Sequence, residues 1–244
     1  MKKIDAIIEA RMNSSRLPGK VMLKIKNIPV LELLVERLRN VNGLKKIVIA
    51  TTRNPKDDQI VKWAKKRKIL FFRGSETDVM ERVLKTAKKF NIKNILNITG
   101  DCPLIDPQLI SQFIEIYNKN NCEYLNNCKY RSYPIGMDIQ IYPTKILEKS
   151  FKQTKERRHR EHVTLHILEN ERVFNHLNII APPEINYPNL GLTLDEKLDF
   201  QLIKKIFNHF FTKRNKFTCL DIINYLNNNK KLFNINKKVR RKKK

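Results

Sequence analysis

The first half of the chain alternates between short apolar runs and longer amphipathic segments. Apolar runs of strand length lie at 4–10, 45–52, 69–74 and 94–100. Between and after them, apolar residues recur at helical spacing in segments 29–40, 57–68, 77–90 and 106–120. This alternation is typical of parallel strands joined by crossover helices that cover both faces of the sheet. The sequence therefore predicts an α/β fold with a mixed, mostly parallel sheet flanked by helices.

The second half is less regular. Strand-like runs lie at 136–143, 174–180 and 189–194, and helical patterns lie at 144–154, 159–170, 195–211 and 218–228. We find no internal repeat and no Gly/Ser-rich linker, so we predict a single domain over 1–230. The basic residues 231–244 are expected to form a disordered tail.

The strongly basic composition would normally suggest a nucleic-acid partner. The formal net charge is +26, and residues 1–236 still carry +19 without the terminal KKVRRKKK. The lysines are scattered over the amphipathic segments rather than gathered in one stripe. Solvated helix faces therefore explain the charge better, and nucleic acid is not the expected partner. A basic module that binds RNA or an anionic surface is kept as an alternative.

Several classes of protein are not expected from this composition. No apolar run approaches the length of a transmembrane helix, and the start of the chain lacks the long apolar run of a signal peptide. A cytoplasmic location is the default expectation. The four cysteines form no CxxC pair, so we expect thiols rather than disulfides or a zinc site.

A basic loop follows the first strand, in the sequence EARMNSSRLPGK at 9–20. Pro18-Gly19 argues against a helix here, and ligands of a parallel sheet lie at the carboxyl ends of strands. Guanidinium groups bind phosphate oxygens in pairs and an ammonium adds a point charge. Arg11, Arg16 and Lys20 are therefore candidates for binding a triphosphate. The loop matches neither GxxxxGK[ST] nor GxGxxG, and a solvated basic loop is the alternative.

A carboxylate follows the strand at 94–100, in TGDCPLID. Asp106-Pro107 already provides the cap of the next helix, so Asp101 is available to bind Mg²⁺, which prefers one or two carboxylates with phosphate and water oxygens. Asp195 is the best candidate for a second carboxylate, although it also suits the N-cap of the next helix. Asp138 is a third candidate.

Three histidines, His159, His162 and His166, would share one face of the predicted helix at 159–170. Because Arg157, Arg158 and Arg160 surround them, we favour substrate contact or packing over a metal site.

Four motifs occur in order along residues 4–210: EARMxSxRLPGK, TGDCPLIDP, REHVT and LTLDExxDF. Together they resemble the cytidylyltransferases that make CMP-acylneuraminate and CMP-Kdo, and particularly the spore-coat polysaccharide branch of that family. The resemblance implies a nucleotide-diphospho-sugar transferase (GT-A-like, Rossmann-like) fold. It also implies an enzyme of cell-surface polysaccharide synthesis that forms a CMP-activated sugar, an acidic or 3-deoxy-2-keto sugar, from CTP and releases pyrophosphate. The carboxylate of such a sugar needs a cation, and Arg82 and Arg160 are the two candidates. A homodimer is a further implication, although no sequence feature shows one.

The resemblance also implies roles for particular residues. Arg11, Ser14, Arg16 and Lys20 would contact the phosphates, and Asp101 with Asp195 would hold Mg²⁺. Residues 73–82 match the segment near nucleotide and acceptor, which assigns Ser75 to the nucleotide and places Asp78 and Arg82 on the substrate side. Arg160 and His162, which belong to the REHVT motif, are assigned to the acceptor side. Asp138 joins the substrate side as an acidic candidate. In many relatives a proline follows shortly after the aspartate of the last motif, whereas here Glu196 and Lys197 follow Asp195. This departure concerns the metal-binding role of Asp195. A glycosyltransferase that uses a nucleotide-sugar donor is the main alternative, because fold alone does not separate the two.

Overall fold

The computed structural model describes residues 2–211 and 216–241. Its strands are Ile4–Glu9 (β1), Lys24–Ile25 (β2), Ile28–Pro29 (β3), Leu44–Thr52 (β4), Leu70–Gly74 (β5), Asn94–Thr99 (β6), Tyr124–Asn126 (β7), Gln140–Pro143 (β8) and His176–Asn178 (β9). Its α-helices are Val30–Leu38 (α1), Asp58–Lys66 (α2), Val79–Lys89 (α3), Pro107–Lys119 (α4), Thr144–Gln153 (α5), Arg157–Glu161 (α6), Leu165–Glu169 (α7), Lys197–Phe210 (α8), Cys219–Asn227 (α9) and Lys230–Phe233 (α10). No helix among the described residues is long and apolar enough to cross a membrane.

The strands of the main sheet follow the order β5-β4-β1-β6-β8-β7-β9. β1 pairs in parallel with β4 and β6, and β4 pairs in parallel with β5. β8 runs antiparallel to β6 and β7, so the sheet is mixed but mostly parallel. The predicted fold class is confirmed.

Helices cover both faces of this sheet because successive strand residues point to opposite sides. On β1, Ile8 faces an apolar core formed with α1, α2, α4, α8 and α9. Its neighbour Ile7 faces a second core, formed with α3, α5 and α7. Both residues are fully buried, so β1 lies at the centre of the molecule.

Two predicted elements differ from the structure. The segment 189–194 forms no strand and contributes only a bridge between Gly191 and Ile135. The helix predicted at 159–170 is divided into α6 and α7, with His162 in a non-helical conformation between them. The β-branched Val163 and Thr164 disfavour the helix, and the Thr164 hydroxyl instead donates a hydrogen bond to the side chain of Gln140 in β8. Tertiary contact therefore outweighs the local helical pattern.

The C-terminal residues also have defined contacts. After α10, Asn236 is buried and Arg241 is half-buried, and both contact Asp199 on α8. Residues 242–244, the end of the predicted tail, lie outside the described residues. The domain limits stay a prediction, but residues 231–241 pack against the domain.

Candidate active site

The candidate site lies where β1 and β6 end side by side. After β1 the chain folds into the basic loop at 10–20, and after β6 it continues through Gly100 and Asp101. The backbone N–H of Gly100 donates to the Glu9 carbonyl over 2.8 Å, which brings the two loops together. β4 lies on the other side of β1. The chain passes from β1 to β4 and reaches β6 only from β5, so the direction of the crossovers reverses between β1 and β6, which is where open α/β sheets have their ligand crevice.

The basic loop is fixed by its own backbone and by a buried carboxylate. The Met12 carbonyl accepts from the N–H groups of Ser14 and Gly19, at 3.0 and 2.8 Å. Gly19 has a φ of 70°, in the left-handed region that glycine adopts most readily. Asp57, which is 1% exposed, accepts from the Met12 N–H over 2.6 Å. These contacts hold Lys20 at the start of a short 3-10 helix, facing the crevice.

Lys20 lies between the two predicted metal ligands. Its Nζ is 2.6 Å from Asp101 Oδ2 and 3.1 Å from Asp195 Oδ1. The backbone explains why these distant residues meet. The Leu194 N–H donates to the Asp101 carbonyl over 2.8 Å, and the Thr193 hydroxyl donates to the same oxygen over 3.2 Å. The structure therefore brings together Lys20, Asp101 and Asp195 as expected, while their roles stay predictions.

The charges in this cluster stabilise one another. Burial disfavours the ammonium of Lys20, but Asp101 and then Asp195 outweigh burial and raise its pKa. Burial likewise opposes ionised Asp101, yet the Lys20 ammonium lowers the pKa of that carboxyl. Arg16 adds a second cation, with Nη2 at 3.0 Å from Asp195 Oδ1. Two of the predicted phosphate-binding cations are thus paired with Asp195 in this structure.

The donor set fits Mg²⁺. The described residues contain no group of three or more His, Cys, Asp or Glu side chains suited to a metal. Mg²⁺ does not require one, because it is usually held by one or two carboxylates together with phosphate and water oxygens. Asp101 and Asp195 supply two carboxylates around a point already occupied by a positive group. These two residues would hold the ion.

Arg11 and the segment after β5 form the other wall of the crevice. Arg11 Nη1 donates to the Glu76 carbonyl over 3.2 Å. The Glu76 carboxylate accepts from Asn54 at 2.9 Å and Asn13 at 2.7 Å, and these hydrogen bonds lower its pKa. The basic loop is therefore connected to the residues that precede α3.

Arg82 on α3 is directed at this wall from within the protein. It is 2% exposed and donates through Nη1 to the Ser75 carbonyl, while its Nε has no hydrogen-bond partner among the described residues. Burial lowers its pKa. Ser75 Oγ accepts from the Asp78 N–H at 3.0 Å, and Asp78 caps α3 by accepting from Glu81. Ser75 and Asp78 thus both help to start this helix.

Arg160 contacts protein groups rather than the crevice. It bonds to Asp78 Oδ2 at 3.2 Å and to the carbonyls of Phe151 and Thr154, each at 3.0 Å. Its guanidinium also lies 3.6 Å from the centre of the Phe151 ring. Arg160 therefore has protein partners in this structure, and its role on the acceptor side stays a prediction. His162 is exposed just after α6.

Asp138 lies at the same edge of the sheet as Asp101, because it precedes β8, which runs antiparallel to β6. It forms an ion pair with Arg131, in which Nη2 is 3.3 Å from Oδ2. The pKa of the Cys102 thiol is raised chiefly by burial and further by the charges of Asp101 and Asp138. Arg131 was not predicted from the sequence, since no motif marks it.

Two further carboxylates were missed. Asp57 fixes the basic loop, and its only sequence signal is a pair of acidic residues at the start of α2. Asp199 has a fully buried side chain and accepts from the N–H groups of Asp195 at 3.0 Å and Glu196 at 2.9 Å. The only sign of this contact in the sequence is that an acidic residue, Asp199, follows Asp195 by four positions.

The fold and this cation-lined crevice define the class of the protein as an α/β nucleotidyltransferase. Comparison with known proteins agrees with this class. The model of the cytidylyltransferase family matches residues 6–239. The chain therefore belongs to the cytidylyltransferase family, and it is an enzyme. A solved structure of a cytidylyltransferase from Leptospira borgpetersenii superimposes with a TM-score of 0.89 at 32% identity, covering 96% of this chain and 97% of that one.

Individual relatives are consistent with this family. An uncharacterized protein of Methanocaldococcus jannaschii is 35% identical over 98% of this chain and 97% of its own length. The spore coat polysaccharide biosynthesis protein SpsF of Bacillus subtilis is 31% identical over 94% of this chain and 96% of its own length. Over a shorter stretch, 3-deoxy-manno-octulosonate cytidylyltransferase of Solibacter usitatus is 37% identical, covering 45% of this chain and 42% of its own length. The resemblance seen in the motifs is confirmed.

Proposed function

We propose that this enzyme transfers CMP from CTP to a sugar, with release of pyrophosphate, in the synthesis of a cell-surface polysaccharide. The observation that carries the proposal is the cluster of Lys20, Arg16, Asp101 and Asp195 in the crevice between β1 and β6. Sugar-related relatives support the acceptor class, namely the protein that acts on 3-deoxy-manno-octulosonate and the spore coat polysaccharide protein.

In the proposed reaction, a hydroxyl oxygen of the sugar attacks the α-phosphorus of CTP. A new oxygen–phosphorus bond forms, the bond from the α-phosphorus to the bridging oxygen breaks, and pyrophosphate leaves with that electron pair while the hydroxyl proton is released. Negative charge grows on the leaving oxygens, so positive groups fixed beside them lower the barrier.

The residues of the site would have different roles in this reaction. Arg11, Arg16 and Lys20 would bind the phosphates from the basic loop, exchanging their present protein partners for phosphate oxygens. Asp101 and Asp195 would hold Mg²⁺, which when bound supplies charge neutralisation at the phosphates. This exchange needs little backbone movement, because Asp57 anchors the loop independently of its cations.

On the acceptor side, Arg82 is the better supported of the two arginines that we considered for a sugar carboxylate. Its buried Nε has no partner among the described residues, and a buried donor of this kind points to a ligand. Arg160 already has its donors engaged by Asp78 and two carbonyls.

The test is pyrophosphate release with Mg²⁺, each of the four nucleoside triphosphates, and a panel of sugar acids and sugar phosphates. Arg16→Ala and Asp101→Ala should each lower turnover about 10²-fold or more, the cost of losing one preorganised group at the developing charge. The exposed Arg157→Ala and Glu115→Ala are matched controls and should turn over normally.

Two results would contradict the proposal. One is turnover like that of the wild type in Arg16→Ala and Asp101→Ala. The other is release of a nucleoside diphosphate from a nucleotide sugar in place of pyrophosphate, which would favour the glycosyltransferase alternative.

A further inference from the structure

The C-terminal segment 236–241 lies against the candidate active site. Arg241 Nη2 is 2.7 Å from Asp199 Oδ1, and Arg241 Nη1 is 3.5 Å from Asp195 Oδ2. Asn236 Nδ2 donates to Asp199 Oδ1 over 2.7 Å and to the Gly191 carbonyl over 2.8 Å. A stretch that appeared from sequence to be only a charged tail therefore contacts a predicted metal ligand.

Asp199 explains why an arginine is needed here. Its side chain is fully buried, and a buried carboxylate is costly unless a cation pairs with it. Its Oδ2 accepts from the N–H groups of Asp195 and Glu196, so Asp199 fixes the backbone that carries the Asp195 side chain. The Arg241 guanidinium thus links the carboxylate that fixes this turn with the carboxylate of Asp195.

Gly191 provides the space for this guanidinium. A Cβ added at Gly191 would lie 1.8 Å from Arg241 Nη2 and 2.4 Å from Cζ, and the three nearest atoms all belong to Arg241. Any larger residue at 191 would therefore displace the end of the arginine side chain.

We propose that Arg241 is a positioning residue of the active site, which holds Asp195 in its working orientation through the shared contact with Asp199. The inference rests on the proposed function. When Lys20 and Arg16 turn to the phosphates of a nucleotide, Asp195 loses both of these partners, and Arg241 remains because Asp199 anchors it. Arg241 itself touches neither substrate.

The main test compares Arg241→Ala with Lys238→Ala, an exposed lysine of the same segment that loses the same charge. Arg241→Ala should lower kcat about 10-fold and raise the half-saturating Mg²⁺ concentration, because small displacements of a catalytic group are costly. The KM of the sugar should stay within about twofold, because the inference places Arg241 away from the acceptor. Lys238→Ala should match the wild type in all three.

Two more variants separate positioning from simple stability. Relative to Arg241→Ala, Arg241→Lys should restore the melting temperature, because an ammonium can neutralise Asp199. It should recover kcat only in part, because an ammonium lacks the planar guanidinium that contacts both Asp199 and Asp195. Gly191→Ala displaces the guanidinium while Arg241 itself is unchanged, and it should reproduce the kinetics of Arg241→Ala. The double variant should then show no further loss.

Mn²⁺ titration followed by electron paramagnetic resonance gives a readout that does not depend on turnover. Weaker Mn²⁺ binding is expected in Arg241→Ala and Gly191→Ala but not in Lys238→Ala. If the wild type released no pyrophosphate with any substrate pair, the proposed function would fail while this titration still tested the role of Arg241. The inference would be overturned by equal Mn²⁺ binding in all variants, by tighter binding in Arg241→Ala, or by a wild type that binds no Mn²⁺.

Discussion

Lys20→Met is the perturbation whose consequences the structure defines most closely. The methionine keeps most of the apolar stem but removes the ammonium between Asp101 and Asp195. Asp195 retains Arg16 and Arg241, so the loss falls mainly on Asp101. We expect two effects, a lower free energy of unfolding and a fall in CTP turnover of about 10²-fold.

The stability loss can be bounded from exposure. Breaking a fully buried ion pair costs about 3–5 kcal/mol, and an exposed pair contributes about 0–1 kcal/mol. The side chains of Lys20 and Asp101 are 12% and 24% exposed, which lies between these limits. A loss of about 2 kcal/mol is therefore expected near neutral pH.

The loss should depend on pH. Lys20 lowers the pKa of Asp101 below 3.8, so ionised Asp101 stabilises the wild type above pH 3.8, and this is lost as the pH falls through the lowered value. In the variant, burial acts on Asp101 without the ammonium and its pKa rises. The difference in unfolding free energy is therefore largest near neutral pH and shrinks in acid. At the alkaline end, the raised pKa of Lys20 maintains the stabilisation until the pH exceeds 10.5.

Urea unfolding followed by circular dichroism between about pH 3 and pH 8 measures this difference. Lys62→Met, at an exposed position of α2, is the matched control and should stay within about 0.5 kcal/mol of the wild type at every pH. A loss for Lys20→Met that is the same at all pH values, or no larger than that of the control, would refute the reasoning.

Three further predictions follow from other contacts of the site. Asp57→Ala should destabilise the protein by about 1.5–3 kcal/mol and raise the KM for CTP, because the basic loop loses a charged hydrogen-bond acceptor; the neighbouring Asp58→Ala should change both little, as urea unfolding and steady-state kinetics would show. Arg160→Ala should lower the melting temperature more than the exposed Arg157→Ala, yet leave nucleotide binding by calorimetry unchanged. Chelation with EDTA should abolish pyrophosphate release, and added Mg²⁺ should restore it in the wild type but not in Asp101→Asn.

For each of these three predictions, one experimental outcome would contradict the reasoning. An Asp57→Ala protein with an unchanged KM for CTP would mean that the buried carboxylate does not set the loop. Weakened nucleotide binding in Arg160→Ala would return this arginine to the substrate side. Full turnover in EDTA would remove the metal from the mechanism.

The sequence alone determined the parts of this protein that depend on local pattern. Alternating apolar runs predicted the parallel strands β1, β4, β5 and β6, because strand and helix periodicities differ over a few residues. The same patterns placed the basic loop and Asp101 at the carboxyl ends of neighbouring strands, and the ordered motifs identified the family.

Only the tertiary structure decided how distant residues pair. Lys20 and Asp195 are 175 positions apart, and they meet because the Asp101 carbonyl binds the backbone next to Asp195. Arg241 with Asp199, 42 positions apart, carries no signature in sequence, because an ion pair between distant positions needs only two opposite charges brought together by the fold. Local pattern set the regular elements of the first half, whereas packing of the whole chain divided the helix predicted at 159–170 and set which charges face each other.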